Sequence, residues 1–137
     1  AVSGFHAQHL MGIDMMPWAV GLMEIQPILT PGHTPGSTSY LVGNNLFTGD
    51  TLFAEGCGIC PDVQAAHAMF ASLAHLKSRL APETHIFPGH SYGKPPGQKF
   101  AHLLKDNMYL QFRNKNDFAA YRLRKGQKNS GFFDAFK

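Results

Sequence analysis

A chain of 137 residues with 44% apolar and 15% charged residues can bury one modest core and is too apolar to stay disordered. No apolar run reaches the length of a membrane span, since Met15 to Met23 is broken by Pro17 and Gly21. No basic-then-apolar amino-terminal pattern marks secretion, so a cytoplasmic location is expected by default.

The net charge of +3 is unevenly spread: residues 1–98 carry three Lys or Arg against six acids, and residues 99–137 carry nine against three. The basic end reads either as a solvated helix face or as a field that attracts an anionic substrate. No nucleic-acid motif accompanies it, so nucleic acid is not expected as a partner, nor is a membrane.

In chain order, Phe5, His9, Leu10, Ile13 and Met16 are spaced as a helical face that Pro17 would end. His6 and His9 read as ordinary surface histidines. Met11, Met15, Met16 and Met23 with Trp18, the only tryptophan, read as adaptable core or interface surface. Three short strands are expected between Met23 and Thr48. The first, Ile25 to Leu29, is stopped by Pro31-Gly32, and the other two are joined by a turn at Gly43-Asn44-Asn45. Thr51 to Pro61 is a glycine-rich loop. Asp62 is a helix N-cap, followed by an apolar stripe of Val63, Ala66, Phe70, Leu73, Leu76 and Leu80, with His67 and His75 facing solvent. Pro82 closes that helix, and His85-Ile86-Phe87 makes the next strand. A second helix is expected over Lys99 to Phe112, with Phe100, Leu103, Leu104 and Met108 inward. A third, capped by Asp117, runs from Phe118 to Lys125 and stops at Gly126. The aromatic end around Phe132, Phe133 and Phe136 is expected to dock on the body or on a partner. Strands followed by covering helices imply a mixed α/β layer.

Three of the strand-like runs finish alike, in small or rigid residues followed by one ligand-type side chain: Pro31-Gly32-His33, Thr48-Gly49-Asp50 and Pro88-Gly89-His90. Singly, each is an ordinary turn, and an Asp after Thr-Gly is commonly a turn residue bonded to its own backbone. Together they read as ligands gathered at one sheet edge, of the types that zinc and non-haem iron accept. Cys57 and Cys60 are too few for a structural zinc site. They could form a redox pair, with Cys60 just before a helix start that could lower a thiol pKa.

Thr30-Pro31-Gly32-His33-Thr34-Pro35-Gly36-Ser37, Thr48-Gly49-Asp50-Thr51-Leu52-Phe53 and Pro88-Gly89-His90 resemble three motifs of the metallo-β-lactamase superfamily. Gly56-Cys57-Gly58 and Gly89-His90-Ser91-Tyr92 resemble its glyoxalase II-like branch. The stretches Gly93 to Gly97 and Asn107 to Phe112 are similar to those of such hydrolases from polyketide gene clusters. The resemblance covers about residues 24–137 and implies the αββα sandwich fold. The family's opening motif, His-x-His-x-Asp-His, is not present, so the chain reads as one incomplete domain over 1–137: an atypical segment, 1–22, followed by the second half of the fold, 23–137.

The resemblance further implies two zinc ions, with iron or manganese as alternatives, held by His33 and His90 and bridged by Asp50, whose role is catalytic as well as ligating. Tyr92 and Cys57 would lie at the substrate, Tyr92 with simple packing as its alternative. The implied reaction is hydrolysis of acyl thioesters of an anionic thiol carrier: glutathione, pantetheine or a carrier protein. Alternatives are a persulfide dioxygenase with one iron and an inactive half-domain acting as an interaction module. The expected partner is a second copy, as a homodimer, or a complementing amino-terminal half.

Overall fold

The structure, a computed structural model, describes residues 16–125. The expected helical face from Phe5 to Ile13, with His6 and His9, the stop at Gly126 and the aromatic end lie outside the described residues. Six strands form one mixed sheet in sequence order: β1 (Trp18–Val20), β2 (Met23–Leu29), β3 (Thr38–Val42), β4 (Asn45–Gly49), β5 (His85–Pro88) and β6 (Gln98–Lys99). Every neighbouring pair is antiparallel except β4 and β5, which are parallel because helix α1 (Val63–Arg79) crosses over between them. The three strands expected between Met23 and Thr48 are β2 to β4. The two-residue turn Gly43-Asn44 joins the last two, with Gly43 at a positive φ of 59°. Strand β1, which follows Pro17, pairs with β2 as an edge hairpin turned by Gly21 at φ 61°.

The alternation of side chains divides the sheet into two unlike faces. On one, the row Leu41–Leu46–Ile86 continues into a core with Met69, Leu73 and Leu76 of α1, Phe100 and Leu103 of α2 (Phe100–Asp106) and Phe118 of α3 (Lys115–Arg122). Helix α1 is pressed so close that a Cβ on Gly32 would stand 2.6 Å from the Met69 Cα. Its stripe is shifted from the expected one: Val63 is exposed, Met69 and Ser72 are buried, and Ser72 Oγ donates to the Pro31 carbonyl at 2.7 Å. His75 faces solvent as expected. His67 does not: it is half-buried, and its Nε2 has no hydrogen-bond partner.

Two helix boundaries also differ from expectation. The second helix ends at Asp106, because Asn107 leaves helical geometry and its side chain accepts from the Tyr109 N–H. A 3-10 turn, Met108–Leu110, follows, with Met108 exposed rather than inward. The third begins at Lys115, capped by Asn114. Asp117 sits three residues on, giving its N–H to Asn114 Oδ1 at 2.9 Å and accepting the Asn114 amide.

The other face carries the cross-strand row Pro27–Tyr40–Phe47–Phe87, with Trp18 edge-on to Tyr40 and Phe47 stacked on Phe87 at 5.3 Å. Among the described residues no helix packs on it. Trp18 is 41% exposed, Leu29 42% and Phe47 45%. Each 100 Å² of such surface withdrawn from water stabilises association by about 2.5 kcal/mol before ordering costs. Sedimentation of the 15.1 kDa chain at micromolar concentration should therefore give a mass above that of the monomer. A clean monomer would mean that this face is covered from within the chain.

Candidate metal centre

The site follows from strand directions. Two antiparallel steps separate β2 from β4, so they run the same way, and β5 runs parallel to β4. The carboxy-terminal ends of all three therefore open on one edge of the sheet, and the residues that follow are those that carry His33, Asp50 and His90.

Each loop is held tightly. After β2, the Thr30 N–H donates to the Ser37 carbonyl at 2.8 Å, closing the loop that presents His33, and the Thr34 N–H donates to Ser37 Oγ at 3.1 Å. The buried hydroxyls of Thr30, Ser39 and Thr51 join this loop to the one after β4, with Oγ–Oγ distances of 3.0 and 3.2 Å from Thr30. Gly49, at φ 51°, turns the chain so that Asp50 leaves the strand, and its carbonyl accepts the Gly89 N–H at 2.8 Å. A Cβ on Gly89 would stand 3.4 Å from Asp50 Oδ1, and one on Gly58 would overlap the Asp50 carbonyl oxygen. Both glycines are close-approach positions.

His33, Asp50 and His90 meet. The His33 Nε2 lies 3.5 Å from Asp50 Oδ2, and the His90 Nε2 lies 3.0 Å from Asp50 Oδ1. The carboxylate thus stands between two imidazoles, one on each oxygen. The His33 Nδ1 is 2.8 Å from the Ile59 carbonyl, which can only accept, so the proton sits on Nδ1. That leaves the Nε2 lone pair of the neutral ring facing a carboxylate oxygen. Two acceptors face to face need a proton or a cation between them. Asp50 Oδ1 points the same way: it is buried and makes no hydrogen bond of proper geometry.

Two imidazole nitrogens, one on each oxygen of a single carboxylate, are donor types that divalent cations accept, so the three side chains fit a metal. Among the described residues no group of three His, Cys, Asp or Glu side chains is placed to hold one metal ion.

Around His90 the aromatic rings are ordered. Tyr92 stacks on the imidazole at 5.8 Å and 10°, and the Phe53 ring stands edge-on to both, at 5.0 Å from Tyr92 and 6.1 Å from His90. Desolvation, reinforced by the Asp50 carboxylate, raises the Tyr92 pKa, so its hydroxyl keeps its proton through neutral pH. Cys57 is not at the surface of the site. It is 5% exposed within the core, and burial pushes its thiol well up despite the opposing Arg122 charge. Cys60 is likewise buried and pushed up to about 11, the reverse of the lowering expected near a helix start. Sequence reasoning missed Ile59, which acts through a backbone carbonyl that any residue possesses, and Phe53, whose role is set by neighbours remote in sequence.

A family model described as the metallo-beta-lactamase superfamily matches residues 16–90. The chain is 46% identical over 126 residues to the probable polyketide biosynthesis zinc-dependent hydrolase BaeB of Bacillus velezensis, covering 90% of this chain and 56% of that protein. It is 39% identical over 97 residues to a hydroxyacylglutathione hydrolase of Brucella ovis, covering 69% of this chain and 37% of that protein. The crystal structure of ETHE1 from Myxococcus xanthus superposes with a TM-score of 0.73 at 30% identity, covering 88% of this chain and 54% of that one. The chain thus spans about half the length of these relatives, or less. Among the described residues no helix is long and apolar enough to cross a membrane.

Because Gly58 has no room for a Cβ, Gly58→Ala should lower stability by about 1–3 kcal/mol in urea unfolding. Gly36→Ala, where a Cβ would meet nothing within 4 Å, should stay within about 0.5 kcal/mol.

Proposed function

The chain belongs to the metallo-beta-lactamase superfamily, and from that premise we propose that it is the second half of a metal-dependent hydrolase of acyl thioesters. The observation that carries the proposal is Asp50 held between His33 and His90, one imidazole nitrogen on each carboxylate oxygen. The names of the two hydrolase relatives support the reading, and the second of them supports a thiol ester as the bond cut. The reaction adds water to the thioester carbonyl: a C–O bond forms, the C–S bond breaks, and acid and thiol leave.

His33, Asp50 and His90 would hold the metal, with the remaining ligands supplied by a complementing amino-terminal half. When bound, it supplies Lewis acidity towards the carbonyl and makes water nucleophilic at neutral pH. The chain's own residues do the positioning. The Ile59 carbonyl keeps the His33 proton on Nδ1, so that Nε2 is free to ligate. Gly58 and Gly89 let the loops close on Asp50 without a side chain intervening. Tyr92, protonated and stacked on His90, offers an O–H donor beside the site, suited to a polar group of the thiol arm. No cysteine serves as nucleophile, since the described thiols are buried and held protonated.

The proposal predicts release of free thiol from acyl-glutathione or acyl-pantetheine when the chain is combined with its complementing half and zinc. Asp50→Asn should abolish it. Tyr92→Phe should raise KM a few-fold without moving the pH profile below about pH 9, because the phenol does not titrate there. Oxygen uptake with one bound iron and no thiol release would replace this reading by the dioxygenase one. Absence of both metal and turnover would leave an interaction module.

The basic residues beyond position 98 carry a second expectation: kcat/KM for anionic thioesters should fall as salt rises from about 0.01 to 0.15 M and screening shortens from about 30 to 8 Å. Equal rates on neutral thioesters with no salt effect would remove that role.

A further inference from the structure

The loop 51–60 touches both histidines of the site yet contains almost no regular structure. Its Ile59 carbonyl accepts from His33 Nδ1 at 2.8 Å, and its Phe53 ring packs edge-on against His90 and Tyr92. Internally it is held by few bonds: Phe53 N–H to the Gly56 carbonyl at 2.9 Å, Gly58 N–H to the Thr51 carbonyl at 3.3 Å and Cys60 Sγ to the Gly58 carbonyl at 3.8 Å; Thr48 Oγ1 of β4 adds a bond to the Leu52 carbonyl at 2.6 Å. What fixes it from behind comes from a remote part of the chain. Asn107, fully buried between α2 and the 3-10 turn, donates its side-chain amide to the Phe53 carbonyl at 2.9 Å and to the Gly56 carbonyl at 3.0 Å. Its Oδ1 accepts from the Tyr109 N–H at 2.9 Å, which anchors the amide group itself. The Tyr109 ring lies against Gly56, and the Tyr109 hydroxyl accepts from buried Arg122 at 2.6 Å.

We propose that Asn107 is a positioning residue of the metal centre: by holding the Phe53 and Gly56 carbonyls it sets the Phe53 ring against His90 and the Ile59 carbonyl against His33. The inference rests on the reading of those histidines as ligands. Both donor protons of one amide go to the same loop, 51 and 54 residues away in sequence. Both acceptors lie inside the turn that the Leu52–Cys57 bridge closes. A residue needed only to end α2 would require the Oδ1 contact to Tyr109 and nothing more. The two loop bonds are additional, and they are aimed at the segment that contacts both ligand rings.

Asn107→Asp isolates these bonds. The carboxylate keeps the shape and the acceptor for Tyr109 but turns an oxygen without a proton towards two carbonyls. In the metal-free full chain, with its amide spectrum still dispersed, the variant should lose the nuclear Overhauser contacts between the Phe53 and His90 rings. It should also lose the slow-exchanging His33 Nδ1–H signal. Zinc affinity, measured by competition with a chromophoric chelator, should fall about ten- to a hundredfold. Asn107→Ser, which retains one donor, should fall between, and it decides the matter by the same signals if the Asp variant does not fold. A folded variant that keeps both ring signals and its zinc affinity would overturn the proposal. Should the native chain bind no zinc even when combined with its complementing half, the hydrolase reading fails, while the ring signals still decide the part played by Asn107.

Discussion

The site depends on one parallel ladder. Strands β4 and β5 are the only parallel neighbours in the described sheet, and their ends are tied by the Gly89 N–H to the Gly49 carbonyl. A parallel pair requires a crossover, and α1 supplies it. The crossover brings Asp50 and His90 to the same sheet end from positions 40 residues apart. Had β5 joined antiparallel, Pro88-Gly89-His90 would point to the opposite edge and no carboxylate would lie between two imidazoles. The remaining features of the site, including the Gly58 contact and the edge-on Phe53, refine an encounter that this ladder creates.

Much of this was legible before any coordinates. Rigid residues ending three apolar runs, followed by His33, Asp50 and His90, encode loops at strand ends, and a strand–helix–strand order encodes a sheet covered by helices. The Gly43-Asn44 turn was legible for the same reason: local chemistry demands it. What was not legible depends on partners distant in sequence. Asn107 breaks the expected helix because its side chain is spent on Phe53, Gly56 and Tyr109, a tertiary demand that overrides helix propensity. The start of α3 was misplaced since Asn114 and Asp117 are both competent caps, and the chain uses the first with the second answering it. Cys57 and Cys60 suggested a redox pair by spacing, and Cys57 a substrate contact by resemblance. Both thiols are buried, and burial raises their pKa values, which no spacing reveals.

The two sheet faces show how the same alternation can yield opposite results. Leu41, Leu46 and Ile86 are committed to the helices, whereas Tyr40, Phe47 and Phe87, one residue along each strand, form an aromatic row with no described helix over it. A one-residue slip would exchange the two sets, so the register is strongly specified on both sides. Ring stacking within the row reduces its exposed area without hiding it.

Buried polarity is costly, and its distribution indicates what it is for. Asn107 and Arg122 are both buried on the helical side, and the Arg122 Nε has no hydrogen-bond partner. An apolar pair of similar volume would pack that space at lower desolvation cost. Such a pair could not satisfy the Phe53 and Gly56 carbonyls, which an irregular buried loop leaves without strand or helix partners. The helical segment after β6 therefore trades some packing energy for control of loop 51–60, and the loop in turn reaches both histidines. The cost falls where stability comes from, in the core. The gain falls at the sheet edge, where the loop fixes the positions of the His33 and His90 rings.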